Sequence, residues 1–130
     1  MSLVVLDTNV LVSALLSPFG NPAKVLALAL NGHVRLCYDS RVLTEYRDVL
    51  LRPKFSFNPD AIGVLLDSLL QDGIAVLPEP LDTFFADESD RIFYEVAKFC
   101  DAVLITGNLR HFPREPDILT PTEFIEGYSV

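Results

Sequence analysis

Short apolar runs alternate with longer amphipathic stretches along the whole chain. The runs "LVVL" (3–6), "VRLCY" (34–38), "IAVL" (74–77) and "AVLIT" (102–106) are rich in β-branched and other apolar residues. Runs of this length are typical of strands buried on both faces of a sheet. A further run, "DIL" (117–119), predicts a short fifth strand.

Helix-start and helix-stop residues bound the amphipathic stretches between these runs. Six helices are predicted. The first covers 9–16 and stops at "SPFG", the second is capped by Asn21-Pro22 and ends at Asn31-Gly32, and the third is capped by Asp39-Ser40 and runs to about Leu51. The fourth is capped by Asn58-Pro59 and closed by Gly73, the fifth is capped by Ser89 and runs to about Phe99, and the short sixth is opened by the capping box Thr120-Pro121-Thr122-Glu123.

The alternation of apolar strands with amphipathic helices predicts a parallel sheet covered on both faces. We therefore expect a three-layer α/β/α fold with a central, mostly parallel sheet of four or five strands. The chain shows no internal repeat, so residues 1–130 are expected to form a single domain, with 78–88 as its long loop.

The composition limits the class of protein and its expected location in the cell. Half of the 130 residues are apolar and the mean hydropathy is +0.33, which excludes a disordered chain. Neither a membrane span nor a signal peptide is recognisable, so we expect a cytoplasmic protein without a membrane partner. Cys37 and Cys100 are expected as buried free thiols.

The net charge of −8 argues against broad nucleic-acid binding, because phosphate contacts normally need a basic surface. That argument weakens if some of the acids bind metal and the cations cluster locally.

Four polar residues are expected at the same edge of the sheet. Asp7 directly follows the first strand, Glu45 lies in the helix after the second, Asp90 opens the helix after the third, and Asn108 follows the fourth. In an open parallel sheet, ligands bind at the carboxyl ends of the strands, near the point where strand order reverses. Carboxylates that close repel one another unless a cation is present. Oxygen ligands favour Mg²⁺ or Mn²⁺, and a water held by such an ion is an apt nucleophile for phosphodiester hydrolysis.

The segments "LDTNVLVSALLSPFGNPAKVL", "LTEYRDVLLRPKF", "DESDRIFYEVA" and "DAVLITGNLRHFP" resemble the PIN-domain nucleases. The resemblance runs through nearly the whole chain and is nearest to toxins of VapC-like toxin–antitoxin systems. It implies a Mg²⁺- or Mn²⁺-dependent ribonuclease with RNA as substrate and a cognate antitoxin as partner. Asp7, Glu45 and Asp90 match the first three acids of the family.

The fourth acid of the family falls on Asn108, which adds no negative charge. Asp87, three residues before Asp90, is a further candidate ligand. Thr8, Asn9 and Thr106 match polar positions that line such sites, and we assign them orienting roles. Arg91, Arg110 and His111, with Arg114 nearby, are expected to bind the phosphates of the substrate.

Each of these residues also has a simpler interpretation. Asp7 could be a helix cap, Glu45 a solvated residue, Asp90 a first-turn acid and Asn108 a turn residue. We interpret Phe84, Phe85 and Phe93 as core or interface residues rather than platforms for base stacking. The remaining acids are expected at the surface: Asp48, Asp67, Asp72, Asp82 and Glu95.

Other functions remain open at this level. The missing fourth acid suggests a catalytically weak or inactive module that binds RNA or protein. The apolar helix around "IGVLLDSLL" could face a second copy of the chain, giving a homodimer, or an antitoxin helix. Phosphoryl transfer through Asp7 is disfavoured, because Asn9 stands where such enzymes carry a second acid.

Overall fold

The structure, a computed structural model, describes residues 2–128. Five strands and six α-helices alternate along it, with two short 3₁₀ helices at Pro53–Phe55 and Leu109–His111. The elements are β1 (Ser2–Leu6), α1 (Thr8–Leu16), α2 (Asn21–Leu30), β2 (Val34–Tyr38), α3 (Ser40–Leu50), α4 (Pro59–Gln71), β3 (Ile74–Ala75), α5 (Glu88–Cys100), β4 (Val103–Ile105), β5 (Ile118–Leu119) and α6 (Pro121–Gly127).

All four strand pairings in the sheet are parallel, and the strand order is β3-β2-β1-β4-β5. The six helices flank this sheet, so the predicted α/β/α class is confirmed, with five strands rather than four. The chain moves outward from β1 to β3 and then returns to β4 on the other side of β1. The strand order therefore reverses between β1 and β4, where a parallel sheet typically binds its ligands.

The core is apolar because the central strands are covered on both faces. Val4, Val5 and Leu6 of β1 are fully buried, as are Leu104 and Ile105 of β4. Helix α5 packs against β1, β2, β4 and α3, whereas α2 packs against α1, α4, α6 and β2. This packing fixes the helices that begin at the carboxyl edge of the sheet.

The caps agree with the sequence in some helices and differ in others. Asp39 and Asn58 cap α3 and α4, and Thr120 with Glu123 forms the predicted capping box of α6. The prediction for α2 was wrong by one residue, since Gly20 is its N-cap and the Asn21 side chain donates to the Thr122 hydroxyl instead.

The prediction for α5 was wrong as well. Asp87, not Ser89, caps this helix, because its carboxylate accepts hydrogen bonds from both the backbone N–H and the hydroxyl of Ser89. Strand β3 is also shorter than predicted: it comprises Ile74–Ala75, and one further backbone hydrogen bond joins Val76 to Tyr38 of β2.

Within residues 2–128, no single helix is long and apolar enough to cross a membrane. Helices α1 and α2 reach that length and hydropathy only as a pair that is bent by 107°. Both cysteines are free thiols; Cys37 is buried and Cys100 is half-buried.

Candidate active site

Asp7 occupies the carboxyl end of the central strand, on one side of the switch point. Its backbone N–H donates to the Ile105 carbonyl at 3.0 Å, which ties the end of β1 to the end of β4. Its carboxylate makes no cap hydrogen bond with α1. Instead, Oδ2 accepts from the Thr106 hydroxyl at 2.8 Å and from the Asn9 amide at 3.3 Å. Asp7 is thus the N-cap residue of α1, and its side chain is in addition held by a hydroxyl from the end of β4.

Thr106 and Asn9 hold the Asp7 carboxylate from two elements. The Thr106 hydroxyl, which donates to Asp7, accepts the backbone N–H of Asn108 at 3.0 Å. The side-chain oxygen Oδ1 of Asn9 accepts a hydrogen bond from the backbone N–H of Gly107 at 3.1 Å. These contacts are the ones that an orienting role requires, and they link the start of α1 to the turn after β4.

Tyr46 of α3 also holds the end of β1. It was not among the candidates identified from the sequence. Its ring is fully buried, and its hydroxyl donates to the Leu6 carbonyl at 2.6 Å. Burial raises the pKa of Tyr46 far above its usual range, with a further contribution from the Asp7 charge. Its position on the apolar face of an amphipathic helix predicts only burial, and nothing local reveals the hydrogen bond.

Burial makes Asp7 an unusual carboxylate. The residue is only 6% exposed, and desolvation raises its pKa from 3.8 to about 6. The hydrogen bond from Thr106 opposes this shift, whereas the negative charge of Asp90 adds to it. A carboxylate in this state is stabilised by any cation that reaches it.

Of the other predicted acids, Asp90 acts on Asp7 directly, and Glu45 is linked to it through Asp90. Desolvation raises the pKa of Asp90, which is nearly buried in the first turn of α5. Desolvation also raises the pKa of half-buried Glu45 on α3; Arg52 lowers it, and the charges of Asp48, Asp87 and Asp90 raise it further. Asp90 is thus electrostatically coupled to both Asp7 and Glu45.

Asp87 is an exposed residue whose role as helix cap occupies its carboxylate. The hydrogen bonds from Ser89 lower its pKa, and the nearby His111 lowers it slightly more. Asn108 is also exposed, at the start of the 3₁₀ helix, and its side chain makes no cap hydrogen bond there.

The predicted phosphate-binding cations differ in their surroundings. His111 lies beside the site, with Nδ1 3.4 Å from Oδ2 of Asp90. Arg110 and Arg114 are exposed on the same segment. Arg91 is already engaged: its guanidinium donates to the Glu88 carboxylate and, at 2.6 Å, to the Leu81 carbonyl.

The fit of a metal ion depends on the donors at this edge. Among residues 2–128, no three His, Cys, Asp or Glu side chains are close enough together to hold a metal ion without rearrangement. Mg²⁺, however, usually keeps several waters and takes only one or two carboxylates directly. The donors are carboxylate, amide and hydroxyl oxygens, and they include the buried Thr8 hydroxyl, which lacks a hydrogen-bond partner. The donor set therefore fits Mg²⁺ or Mn²⁺ in kind.

One predicted surface charge is in fact part of the interior. Glu95 is only 3% exposed; it accepts hydrogen bonds from the Arg41 guanidinium and from the backbone N–H of Leu81, both at 2.8 Å. Arg41 also pairs with the buried Asp39. Glu95 is buried because it anchors the loop that leads to α5. The other four acids are exposed as predicted: Asp48, Asp67, Asp72 and Asp82.

The phenylalanines of this region differ in their exposure to solvent. Phe85 and Phe93 are buried in the core as predicted, but Phe84 is 83% exposed. Of the two predicted positions for Phe84, core or interface, the core is excluded, because the backbone of the loop turns alternate side chains outward at this point.

A parallel α/β sheet with a buried carboxylate at its switch point has the arrangement of proteins that typically bind ligands at this edge. The sequence model of the PIN domain matches residues 3–110, a span that includes Asp7, Glu45, Asp90 and Asn108. The chain belongs to the PIN-domain family.

Two further comparisons show what the chain resembles in sequence and in fold. The chain is 32% identical over 141 aligned positions to the uncharacterized protein MJ1680 of Methanocaldococcus jannaschii, with 97% of this chain and 91% of that protein covered. It also shares its fold with VapBC2 from Rickettsia felis, solved bound to a DNA fragment from their promoter. That match has a TM-score of 0.58 at 18% identity and covers 91% of this chain and 96% of the other.

Proposed function

We propose that the chain is a Mg²⁺- or Mn²⁺-dependent endoribonuclease. The observation that carries this proposal is the buried carboxylate of Asp7, held by Thr106 and Asn9 at the switch point and facing the charge of Asp90. Membership of the PIN-domain family, whose members are generally nucleases, supports it.

The electrostatics of the site support a role for a divalent cation. Asp7, Glu45 and Asp90 all have raised pKa values, which means that the folded chain disfavours their charged forms. When bound, Mg²⁺ or Mn²⁺ would neutralise these charges, activate water and stabilise the leaving oxygen of a phosphodiester.

The chain itself would supply position and charge. Asp7 and Asp90 would hold the ion from β1 and α5, Glu45 would complete the site from α3, and Asn108 and Asp87 would assist. Thr106 and Asn9 fix the direction in which the Asp7 carboxylate points. Thr8 offers its buried hydroxyl beside Asp7.

Recognition of the substrate is assigned to the cations of the neighbouring segment. Arg110 and His111 are exposed and would bind the phosphates of RNA. Arg91 would contribute indirectly, because its guanidinium is held by Glu88 and Leu81.

Cleavage of a labelled single-stranded RNA in Mn²⁺ tests the proposal. We expect cleavage that stops with EDTA and in the variants Asp7→Asn, Glu45→Gln and Asp90→Asn. The matched control is Asp67→Asn, an exposed acid on α4 that lies outside the proposed site, and it should cleave like the unaltered protein. Intact RNA with the unaltered protein, or full activity in Asp7→Asn, would contradict the proposal.

We also propose that the chain is the toxin of a toxin–antitoxin pair and that its ribonuclease activity is the toxic one. The likeness of the fold to VapBC2 supports a protein partner of this kind. The reading frame next to the gene provides the test: a small DNA-binding protein encoded there should form a stable complex with the chain and block cleavage.

A second candidate is a binding module without turnover. Two observations favour it: Asn108 replaces an acid, and no ready-made group of three ligands exists among the described residues. Tight RNA or partner binding that persists unchanged in Asp90→Asn, without any cleavage in Mn²⁺, would establish this function over the first.

A further inference from the structure

A groove of about 370 Å³ opens directly beside Asp90. Its rim carries Phe84, Asp87, Arg110 and His111, while Phe85, Phe112 and Pro113 form its apolar floor. The groove thus joins an aromatic surface, two basic side chains and one of the proposed catalytic acids.

Phe84 projects from the loop that leads to α5. Along residues 81–86, half-buried or buried side chains alternate with exposed ones, as in an extended segment that lies on a surface. Phe85 points into the protein, so Phe84 must point away from it. An exposed phenyl ring contributes no hydrophobic burial to the stability of the fold, so a binding partner is the natural reason for its presence at the surface.

The segment that carries Phe84 is firmly supported. Both backbone polar groups of Leu81 are bound, the N–H by Glu95 and the carbonyl by Arg91. The Phe85 ring packs edge-on against Tyr94 and Phe112, with ring centroids 5.3 and 6.0 Å apart, and Arg91 lies 5.2 Å from its centroid. The Phe84 ring is therefore presented from a fixed base.

We propose that Phe84 stacks against a base of single-stranded RNA as its backbone enters the site along Arg110 and His111. The proposal rests on the ribonuclease function proposed above. An exposed aromatic ring beside cations matches a nucleotide, whose flat base and charged phosphate need both groups at once. A paired base has its faces covered within the helix, so the ring selects for unpaired RNA.

Stacking of this kind positions the strand without reading its sequence, because every base offers a flat face. Phe84 would hold a nucleotide next to the one being cut, and the scissile phosphate would lie over Asp7 and Asp90. The expected role is thus in affinity and in the choice of single strands.

The chain contains no tryptophan, which allows a direct test. Phe84→Trp introduced into the non-cutting Asp7→Asn protein gives a single tryptophan at the proposed contact, which can be excited apart from the four tyrosines. We expect unmodified single-stranded RNA in Mn²⁺ to quench it saturably. The control is Phe19→Trp in the same background, a ring position that is 95% exposed beyond the far end of α1 from Asp7.

Affinity gives an independent measure in the same Asp7→Asn background. Phe84→Ala should weaken binding of single-stranded RNA by roughly 5- to 150-fold, the range known for loss of one stacked base. Phe84→Trp should bind within a few-fold of the parent, and Phe19→Ala should match it.

The outcomes separate the two proposals. If the unaltered protein cuts RNA but Phe84→Ala binds as tightly as its parent, or bound RNA leaves Phe84→Trp unquenched, the stacking role is wrong and the nuclease stands. If the unaltered protein neither cuts nor binds RNA, both are wrong. Loss of self-association in Phe84→Ala with unchanged RNA binding would assign the ring to a protein interface instead.

Discussion

Asp7 is held out of water at the end of a buried strand, where its charge is costly. The hydrogen bond from the Thr106 hydroxyl only partly compensates, and the charge of Asp90 adds to the cost. Single residues therefore set the electrostatic character of the site.

The pH dependence of stability should reveal the cost of Asp7. Between pH 3.8 and about 6, the folded chain keeps the proton on Asp7 while the unfolded chain has lost it. Stability in EDTA therefore falls as pH rises through this window, by up to about 3 kcal/mol from this group. Asp7→Asn removes this loss and should be about 1–2 kcal/mol more stable than the parent at pH 7.5.

Urea denaturation in EDTA at pH 5 and pH 7.5 measures this effect. Asp67→Asn, on the exposed face of α4, should keep the pH dependence of the parent. An Asp7→Asn protein that is less stable than the parent at pH 7.5 would show that the hydrogen bonds to Asp7 outweigh its desolvation.

Asn108 gives a second prediction at this scale. Asn108→Asp restores a carboxylate in the turn after β4, so Mn²⁺ should bind about tenfold tighter, equivalent to about 1.4 kcal/mol. Because ligand binding stabilises the folded state, the Mn²⁺-induced rise in Tm should be larger in Asn108→Asp than in the parent. Equal shifts would place residue 108 outside the metal site.

At the scale of elements, residues 76–87 form the long connection between β3 and α5, and it is held in place by the buried Glu95, whose ion-pair partner Arg41 is exposed. Glu95 joins Arg41 on α3 to the backbone of Leu81. The connection therefore behaves as part of the framework of the site, although it contains no helix or strand.

Removing this anchor should destabilise the chain strongly. Glu95→Ala leaves the Leu81 N–H without an acceptor and exposes one side of the Arg41 guanidinium to water, at a cost of about 1–3 kcal/mol. Glu95→Gln keeps an acceptor oxygen and should lose less. Urea denaturation measures both, with the exposed Asp82→Ala on the same loop as a control that should change little.

Elements were predicted where local signals decide them. The N-cap residues and strand runs placed α3, α4, α6 and the central strands within a residue or two, because each signal lies inside its own segment. The start of α5 was misplaced because Asp87 and Ser89 are both good caps, and their hydrogen bond to each other decides between them.

At the scale of the whole molecule, a net charge of −8 opposes the approach of RNA. The cations near the site, Arg110, His111 and Arg114, form a small local exception. Association must then depend on this patch and on divalent cations rather than on a broad basic surface.

The salt dependence of RNA binding tests this view. With two or three cations on the phosphates, the logarithm of affinity should fall with the logarithm of salt at a slope of about −1.4 to −2 at constant Mn²⁺. Arg110→Ala should make the slope shallower by about 0.7, whereas Lys24→Ala on the exposed side of α2 should leave it unchanged. A much steeper slope in the parent would point to a larger basic surface.

The alternation of apolar runs and amphipathic stretches was sufficient to predict a parallel α/β/α fold and the edge of the sheet that carries the acids. These features follow from side-chain periodicity and capping, which act over a few residues. Contacts between distant residues decided the partners of the polar side chains. Thr106 donates to Asp7 across 99 positions, and Tyr46 donates to Leu6. Glu95 is buried by its partners, and Phe84 is turned outward. Such contacts arise only when the strand order brings remote segments together, and no local pattern encodes which partner each polar side chain will find.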